Sequence, residues 1–298
     1  MKNPKSIMIN DFATQYYTAG TDGPILLLVH GAGMDSAVLS WEEVFLPLSK
    51  SARVYAVDLP GYGGSEYKPD VTYSNDFYVN FLKDFMDALE IERAMLMGLS
   101  LGGGIVLGFS LTHPSRVSAL GLVSSNGIAK KWNHHFITYH FYVNTPLNKL
   151  SYRLMRKSKA FIRMIVKAGL FYHTEHIDDL VEDIYELAQS PHLGKAFFSF
   201  QQSEYLGSQG VRSYFKERLH EITVPTIIIH GKEERTVPVA EAITAHNLIQ
   251  QSELHLLDEA RHWPQKEYPE KVIRMIHDFI QNHPALEEQH AIPSSKRS

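Results

Sequence analysis

The chain has 298 residues, 44% apolar and 21% charged, with a formal net charge of −4. That is the make-up of an ordinary globular protein, one large α/β domain or two small ones, with no global attraction to nucleic acid. It holds no cysteine, which excludes disulfides, a thiolate nucleophile and cysteine-ligated metal, and which fits a reducing, cytoplasmic setting.

No long apolar run follows Met1-Lys2-Asn3-Pro4-Lys5, so no secretory leader is expected. No segment approaches the roughly 20 apolar residues of a membrane span. Short strands are expected near residues 6–10 and 14–18. Ile25-Leu26-Leu27-Leu28-Val29 is a continuous apolar run after Asp22-Gly23-Pro24, which suits a strand buried on both faces. Val54-Tyr55-Ala56-Val57 is a second such strand and ends in the turn-rich loop Asp58-Leu59-Pro60-Gly61-Tyr62-Gly63-Gly64-Ser65. Phe77, Phe81, Phe85 and Leu89 repeat every fourth residue and predict a helix over 75–89.

A strand over 94–97 then runs into Gly98-Leu99-Ser100-Leu101-Gly102, and a Gly-rich helix runs out of it to Thr112, stopped by Pro114. Strand, sharp turn and helix hold a serine in a strained backbone and push it outward, with glycines wherever a Cβ would clash. Residues 119–123 give the next strand. From about 127 to 215 the chain reads as helical. Thr226-Ile227-Ile228-Ile229-His230 resumes the strand pattern, followed by a helix near 239–249, a strand over 253–257 and a helix over 269–282.

This alternation predicts an α/β fold, a mostly parallel central sheet flanked by helices, with residues 1–126 and 216–284 as core. A helical lid over 127–215 is expected to cover the C-terminal ends of the strands. Residues 285–298 read as a flexible tail.

Three features fall just past strand ends, where open α/β sheets bind ligands. They are Ser100, the pair Glu233-Glu234, and His262. A serine hydroxyl needs an adjacent base to act as nucleophile. His262 can take its proton and return it to the leaving group. A carboxylate behind the imidazole fixes its tautomer and stabilises the imidazolium. His30-Gly31-Ala32-Gly33 follows the 25–29 strand and offers backbone N–H groups to a developing oxyanion. Ala32 and Leu101 are the expected donors, with Gly33 second to Ala32.

With His30-Gly31-Ala32-Gly33, the 58–65 loop, Gly98–Gly102, Gly231…Val237-Pro238 and His262-Trp263-Pro264 in place, the chain resembles the α/β-hydrolase family over residues 7 to about 282. The resemblance implies Ser100 as nucleophile, His262 as base, and Ala32 with Leu101 as the oxyanion hole. It also implies an acid before Arg235-Thr236-Val237-Pro238. Relatives usually carry aspartate there; here Glu234 stands in that place, one methylene longer, with Glu233 as the alternative. Asn126, where some relatives place the acid, is a neutral amide and cannot do that work.

Simpler readings stand beside these. Ser100 reads otherwise as a turn serine in a fold kept for ligand binding. His30 reads as support for the oxyanion loop and Asp58 as a loop-fixing carboxylate. His134, His135 and His140 lack nearby carboxylates, so neither a metal nor another cofactor is expected. Gly31, Gly33, Leu99 and Trp263 are expected to line the substrate pocket, and Trp263 has the alternative of packing under its own loop.

The run from His262 to Glu267 looks like versions in epoxide hydrolases and carbon–carbon bond hydrolases. The former, like haloalkane dehalogenases, need an aspartate where Ser100 stands. Carbon–carbon bond hydrolases keep the serine but usually carry Asn where Leu99 stands. The leading expectation is hydrolysis of a hydrophobic small-molecule ester through an acyl-Ser100 intermediate. A serine carbon–carbon bond hydrolase, a lactonase or thioesterase, and a non-catalytic small-ligand receptor are the alternatives.

Between Ile128 and Thr174 there are nine Lys or Arg residues and no Asp or Glu, interleaved with large apolar groups, whereas residues 175–186 are acidic. Either the basic and acidic helices pack side by side and neutralise each other, or the basic lid meets an anionic membrane surface or an anionic substrate.

Overall fold

The computed structural model describes residue 1 and residues 3–132, 135–175 and 177–286. His134 and residues 287–298, most of the expected tail, lie outside the described residues. Eight strands form one sheet: β1 (Lys5–Ile9), β2 (Phe12–Ala19), β3 (Ile25–Val29), β4 (Arg53–Val57), β5 (Ala94–Leu99), β6 (Val117–Val123), β7 (Thr226–Gly231) and β8 (Ser252–Leu257). Their order across the sheet is β1-β2-β4-β3-β5-β6-β7-β8. The β1–β2 and β2–β4 pairs are antiparallel and the remaining neighbours are parallel.

The helices of the core are α1 (Ala37–Leu48), α2 (Asn75–Ala88) and α3 (Leu101–Thr112). Between β6 and β7 come α4 (His135–Ile137), continued as a π-helical turn over Thr138–Val143, and α5 (Pro146–Lys157). Then follow α6 (Lys159–Ile165), continued as a π-helical turn over Val166–Leu170, α7 (Asp178–Ala188) and α8 (Lys195–Glu204). The core closes with α9 (Val239–Leu248), α10 (Pro264–Glu267) and α11 (Pro269–Asn282).

The central strands are buried on both faces because helices cover both. All five residues of β3 are buried. Leu26 and Leu28 face the cluster formed with α1 and α11, whereas Ile25, Leu27 and Val29 face the cluster formed with α2, α3 and α9, as the two-residue period of a strand requires. The insertion between β6 and β7 is helical, with one isolated bridge, Tyr205 to Val211, among the described residues. It shares the core: Met155, Ile162, Val166, Phe171 and Ile184 join the α1/α11 cluster, while Ala196 and Phe200 join the other.

Besides shifts of strand ends, such as β2 and β6 each starting two residues early, two differences bear on the site. The strand expected over 94–97 runs on to Leu99, since Gly98 and Leu99 still pair with Leu122 and Val123. Helix α1 has no counterpart in the sequence reading. Ser36 caps it, its hydroxyl accepting from the Leu39 N–H at 3.1 Å. Its buried residues Ala37, Leu39, Trp41, Val44, Phe45 and Leu48 lie opposite exposed Glu42, Glu43 and Leu46, and Pro47 together with apolar Leu46 on the exposed face blurs that period in the sequence.

Candidate active site

Ser100 joins β5 to α3 at φ 51° and ψ −112°, a strained conformation for a residue with a side chain. The end of β6 holds it there. The Ser100 N–H donates to the Val123 carbonyl at 2.9 Å, and its own carbonyl accepts from the Asn126 N–H at 2.9 Å. The surroundings leave no room for side chains. A Cβ on Gly98 would fall on the Gly102 backbone, and one on Gly102 would fall on the carbonyls of Val29 and His30. Leu101 opens α3, so its N–H is one of those a helix cannot pair internally.

The loop after β3 lies against this turn. A Cβ on Gly31 would sit 3.6 Å from Ser100 Cβ. Buried Asp35 fixes the loop from behind. Its Oδ2 accepts from the Gly31 N–H at 2.8 Å and the Ser40 hydroxyl at 2.7 Å, and its Oδ1 accepts from the Ser36 N–H at 2.8 Å. The Gly31 N–H is thereby occupied. Burial pushes the Asp35 carboxyl up to about 6, against the pull of these hydrogen bonds.

His30 supports the same loop. Its Nε2 accepts from the Leu59 N–H at 3.0 Å, so Nδ1 carries the proton and donates to the Gly31 carbonyl at 2.7 Å. Burial pushes its pKa down to about 4, which keeps it neutral. Asp58 likewise fixes loops, accepting from the N–H groups of Ala37 (2.7 Å) and Gly64 (2.9 Å) and from Gln15 Nε2 (3.0 Å).

Glu234 and His262 meet across the ends of β7 and β8. His262 Nδ1 donates to Glu234 Oε2 at 2.7 Å, with both side chains almost wholly buried. The other carboxylate oxygen, Oε1, accepts from the N–H groups of Thr236 and, at 3.2 Å, Val237. Burial pushes the Glu234 carboxyl up, but the His262 charge and these hydrogen bonds outweigh it, and the net position is below the usual glutamate range. With Nδ1 protonated, Nε2 is the basic nitrogen. Glu233 turns away and accepts from the Ala260 N–H at 3.2 Å. Ser100, Glu234 and His262 therefore follow the carboxyl ends of the parallel strands β5, β7 and β8.

Two of the residues expected at the pocket, Leu99 and Trp263, are buried. Leu99 is fully buried on the last position of β5, within the α1/α11 cluster. Its Cδ2 lies 3.6 Å from where a Cβ on Gly31 would fall, so it packs against the loop beside Ser100. Trp263 is also buried, its ring edge-on to Phe171 at 6.0 Å, so it packs under its loop. Gly33 does face outward, and a Cβ there would lie 3.5 Å from the Tyr152 hydroxyl of α5. Tyr152 also borders a cavity of about 660 Å³ between α5, α8 and the 67–72 segment.

His135 Nε2 pairs with the Gly207 carbonyl at 2.9 Å, and His140 Nε2 with the Tyr205 hydroxyl at 3.2 Å. Among the described residues, no group of three metal-ligating side chains is present.

Several site-forming contacts have no signature in the sequence. The Arg235 guanidinium donates to the Ala168 carbonyl at 3.1 Å. Arg261 Nη1 donates to the carbonyls of Lys167 (2.7 Å) and Phe171 (2.9 Å), and the His262 N–H donates to the Leu170 carbonyl at 3.1 Å. The loops bearing Glu234 and His262 are thus tied to the π-helical turn of the insertion. Buried Gln265 donates to the Ser40 carbonyl at 3.1 Å, which joins the His262 loop to Asp35 through Ser40. A backbone carbonyl as partner carries no residue code, so only Asp35, four residues past Gly31 in an apolar stretch, offered any signal.

A family model described as alpha/beta hydrolase fold matches residues 24–269. The 2-hydroxymuconate semialdehyde hydrolase of Pseudomonas sp. (strain CF600) is 28% identical over 93% of this chain and 93% of its own length. The 2-hydroxy-6-oxo-6-(2'-aminophenyl)hexa-2,4-dienoic acid hydrolase of Metapseudomonas resinovorans is 29% identical over 90% of this chain and 87% of its own. Among solved structures, a meta-cleavage product hydrolase from Pseudomonas fluorescens IP01 superposes with a TM-score of 0.79 at 27% identity, covering 93% of this chain and 97% of that one. The matched span runs from β3 through His262, every element that carries the site, and the chain belongs to the α/β-hydrolase fold family, as a hydrolase.

Proposed function

We propose that this hydrolase cleaves a carbon–carbon bond next to a ketone in a dienoate substrate, with Ser100 as nucleophile. The supporting observation is likeness over nearly the whole chain to hydrolases whose names specify such substrates, coupled to an imidazole–carboxylate pair that holds the proton on Nδ1 and leaves Nε2 as the acceptor. His262 Nε2 takes the Ser100 proton as Oγ adds to the ketone carbon. The N–H groups of Ala32 and Leu101 stabilise the oxyanion, each such donor contributing about 2.7–4 kcal/mol to the barrier. With the substrate in its keto tautomer, already protonated at the carbon next to the ketone, the carbon–carbon bond breaks, its electron pair passes into the dienolate, and the His262 proton goes to the dienolate oxygen. Water, deprotonated by His262, then releases the acid from Ser100.

Leu99 favours a second reading. It offers no polar group beside Ser100 and is fully buried, so the site lacks an amide that a dienol substrate would use and a plain ester remains suited to it. The discriminating assay gives the purified chain a chromophoric 2-hydroxy-6-oxo-dienoate and a series of p-nitrophenyl esters. The carbon–carbon reading expects kcat/KM at least tenfold higher on the dienoate, with Ser100→Ala inactive on both. Turnover of esters alone transfers the assignment to ester hydrolysis. Glu234→Gln keeps the hydrogen-bond geometry but not the charge, and should lower kcat on the order of 10⁴-fold.

A further inference from the structure

We propose that the exposed face of the helical insertion docks on a bilayer surface containing anionic lipid, whichever bond the enzyme cleaves. The insertion carries most of the exposed large apolar side chains among the described residues. Phe136 is 63% exposed, Phe141 62% and Leu147 54%, and Ile137, Leu150 and Leu154 accompany them. They lie on α4, its π-helical continuation and α5, which follow one another in the chain and pack together.

Helix α5 shows the design most clearly. At 3.6 residues per turn, Leu147, Leu150 and Leu154 form one stripe and Lys149, Arg153 and Lys157 the stripe beside it. Asn148 and Met155 point the other way and are buried. Apolar groups flanked by long cationic side chains suit a helix lying in the interface, since the cations reach headgroups while their stems stay with the apolar layer. Among the described residues no helix is long and apolar enough to cross a membrane, so the insertion would lie on the surface.

Internal neutralisation accounts for only part of the positive charge. Lys159 pairs with Glu182 at 2.5 Å and Arg163 with Asp178, both acids on α7. Arg156 donates to the carbonyls of Ala188 and Ser190. Lys149, Arg153 and Lys157, the cations beside the apolar stripe, make no ion pair among the described residues. A second copy of the chain is the poorer occupant. A two-fold contact through this patch would set each copy's unneutralised cations against the other's.

The test is sedimentation of the full chain with vesicles of phosphatidylcholine alone and with 30 mol% phosphatidylglycerol. Binding should require the anionic lipid and fall at least tenfold between roughly 0.05 and 0.5 M salt. Lys149→Gln/Arg153→Gln/Lys157→Gln should weaken partitioning on the order of a hundredfold. Leu150→Glu should abolish it. Unchanged melting and unchanged fluorophosphonate labelling of Ser100 establish that these variants are folded. Absence of binding by the parent chain overturns the proposal, as does salt-independent binding to neutral vesicles. So does a change in oligomeric state of the Leu150→Glu variant with vesicle binding intact, which assigns the patch to a second copy.

Discussion

Asp35 sits behind the loop that presents Ala32 and accepts three hydrogen bonds with its two oxygens. An amide in its place must turn an N–H₂ toward either the Gly31 or the Ser36 N–H. Asp35→Asn therefore leaves one buried donor unpaired, and urea denaturation should show a loss of about 1–3 kcal/mol. With the loop in the oxyanion role proposed for it, activity should fall through kcat more than KM. Three buried groups also set opposing pH slopes. His30, held near pKa 4 against an ordinary 6.5, binds fewer protons folded than unfolded between those values, so its contribution to stability rises with pH across that window. Asp35 and Asp58, raised to about 6, bind more protons folded between about 3.8 and 6, so theirs falls as pH rises. Measured by urea denaturation from pH 4 to 6.5, the stability advantage of the parent chain over His30→Asn should grow with pH. Its advantage over Asp58→Asn should shrink. Each slope is at most about 1.4 kcal/mol per pH unit.

At the level of elements, the elbow is backbone packed on backbone. Adding one methyl by Gly102→Ala drives it into the carbonyls of Val29 and His30, neither of which is the free end of a side chain. Denaturation should report a loss of about 1–3 kcal/mol or more, and labelling of Ser100 by a fluorophosphonate should slow in parallel. The same packing explains what the chain revealed before its fold was known. Parallel strands buried on both faces appear as unbroken apolar runs, so β3 and β7 were legible nearly to the residue, and the glycines around Ser100 betrayed the turn. Helix α1 was hard to read because apolar Leu46 on its exposed face and Pro47 in its last turn interrupt the pattern. The order serine, acid, histidine narrowed the acid to two adjacent glutamates on one turn, but only the loop's path decides that Glu234 and not Glu233 faces the imidazole. Which of the two readings of Trp263 holds, pocket wall or packing under its loop, was open for a related reason: being next to a site residue in sequence says nothing about which way a side chain turns.

On the scale of the whole molecule, the insertion is not an appendage. Ile162, Val166 and Ile184 are fully buried in the same apolar cluster as β3, α1 and α11, so insertion and sheet should unfold together. Ile184→Ala should cost about 2–5 kcal/mol, and far-UV circular dichroism and tryptophan fluorescence should trace one coincident transition before and after the change. Two separated transitions would show that the insertion folds alone. The four hydrogen bonds from Arg235, Arg261 and His262 to carbonyls at residues 167, 168, 170 and 171 carry a further consequence. They make the insertion and the acid–base loops thermodynamic partners, and such coupling is reciprocal. Whatever steadies that π-helical turn from outside, a bilayer included, must steady the imidazole by the same free energy with which an occupied site steadies the turn. On the docking proposed above, bilayer and substrate would then act as each other's effectors.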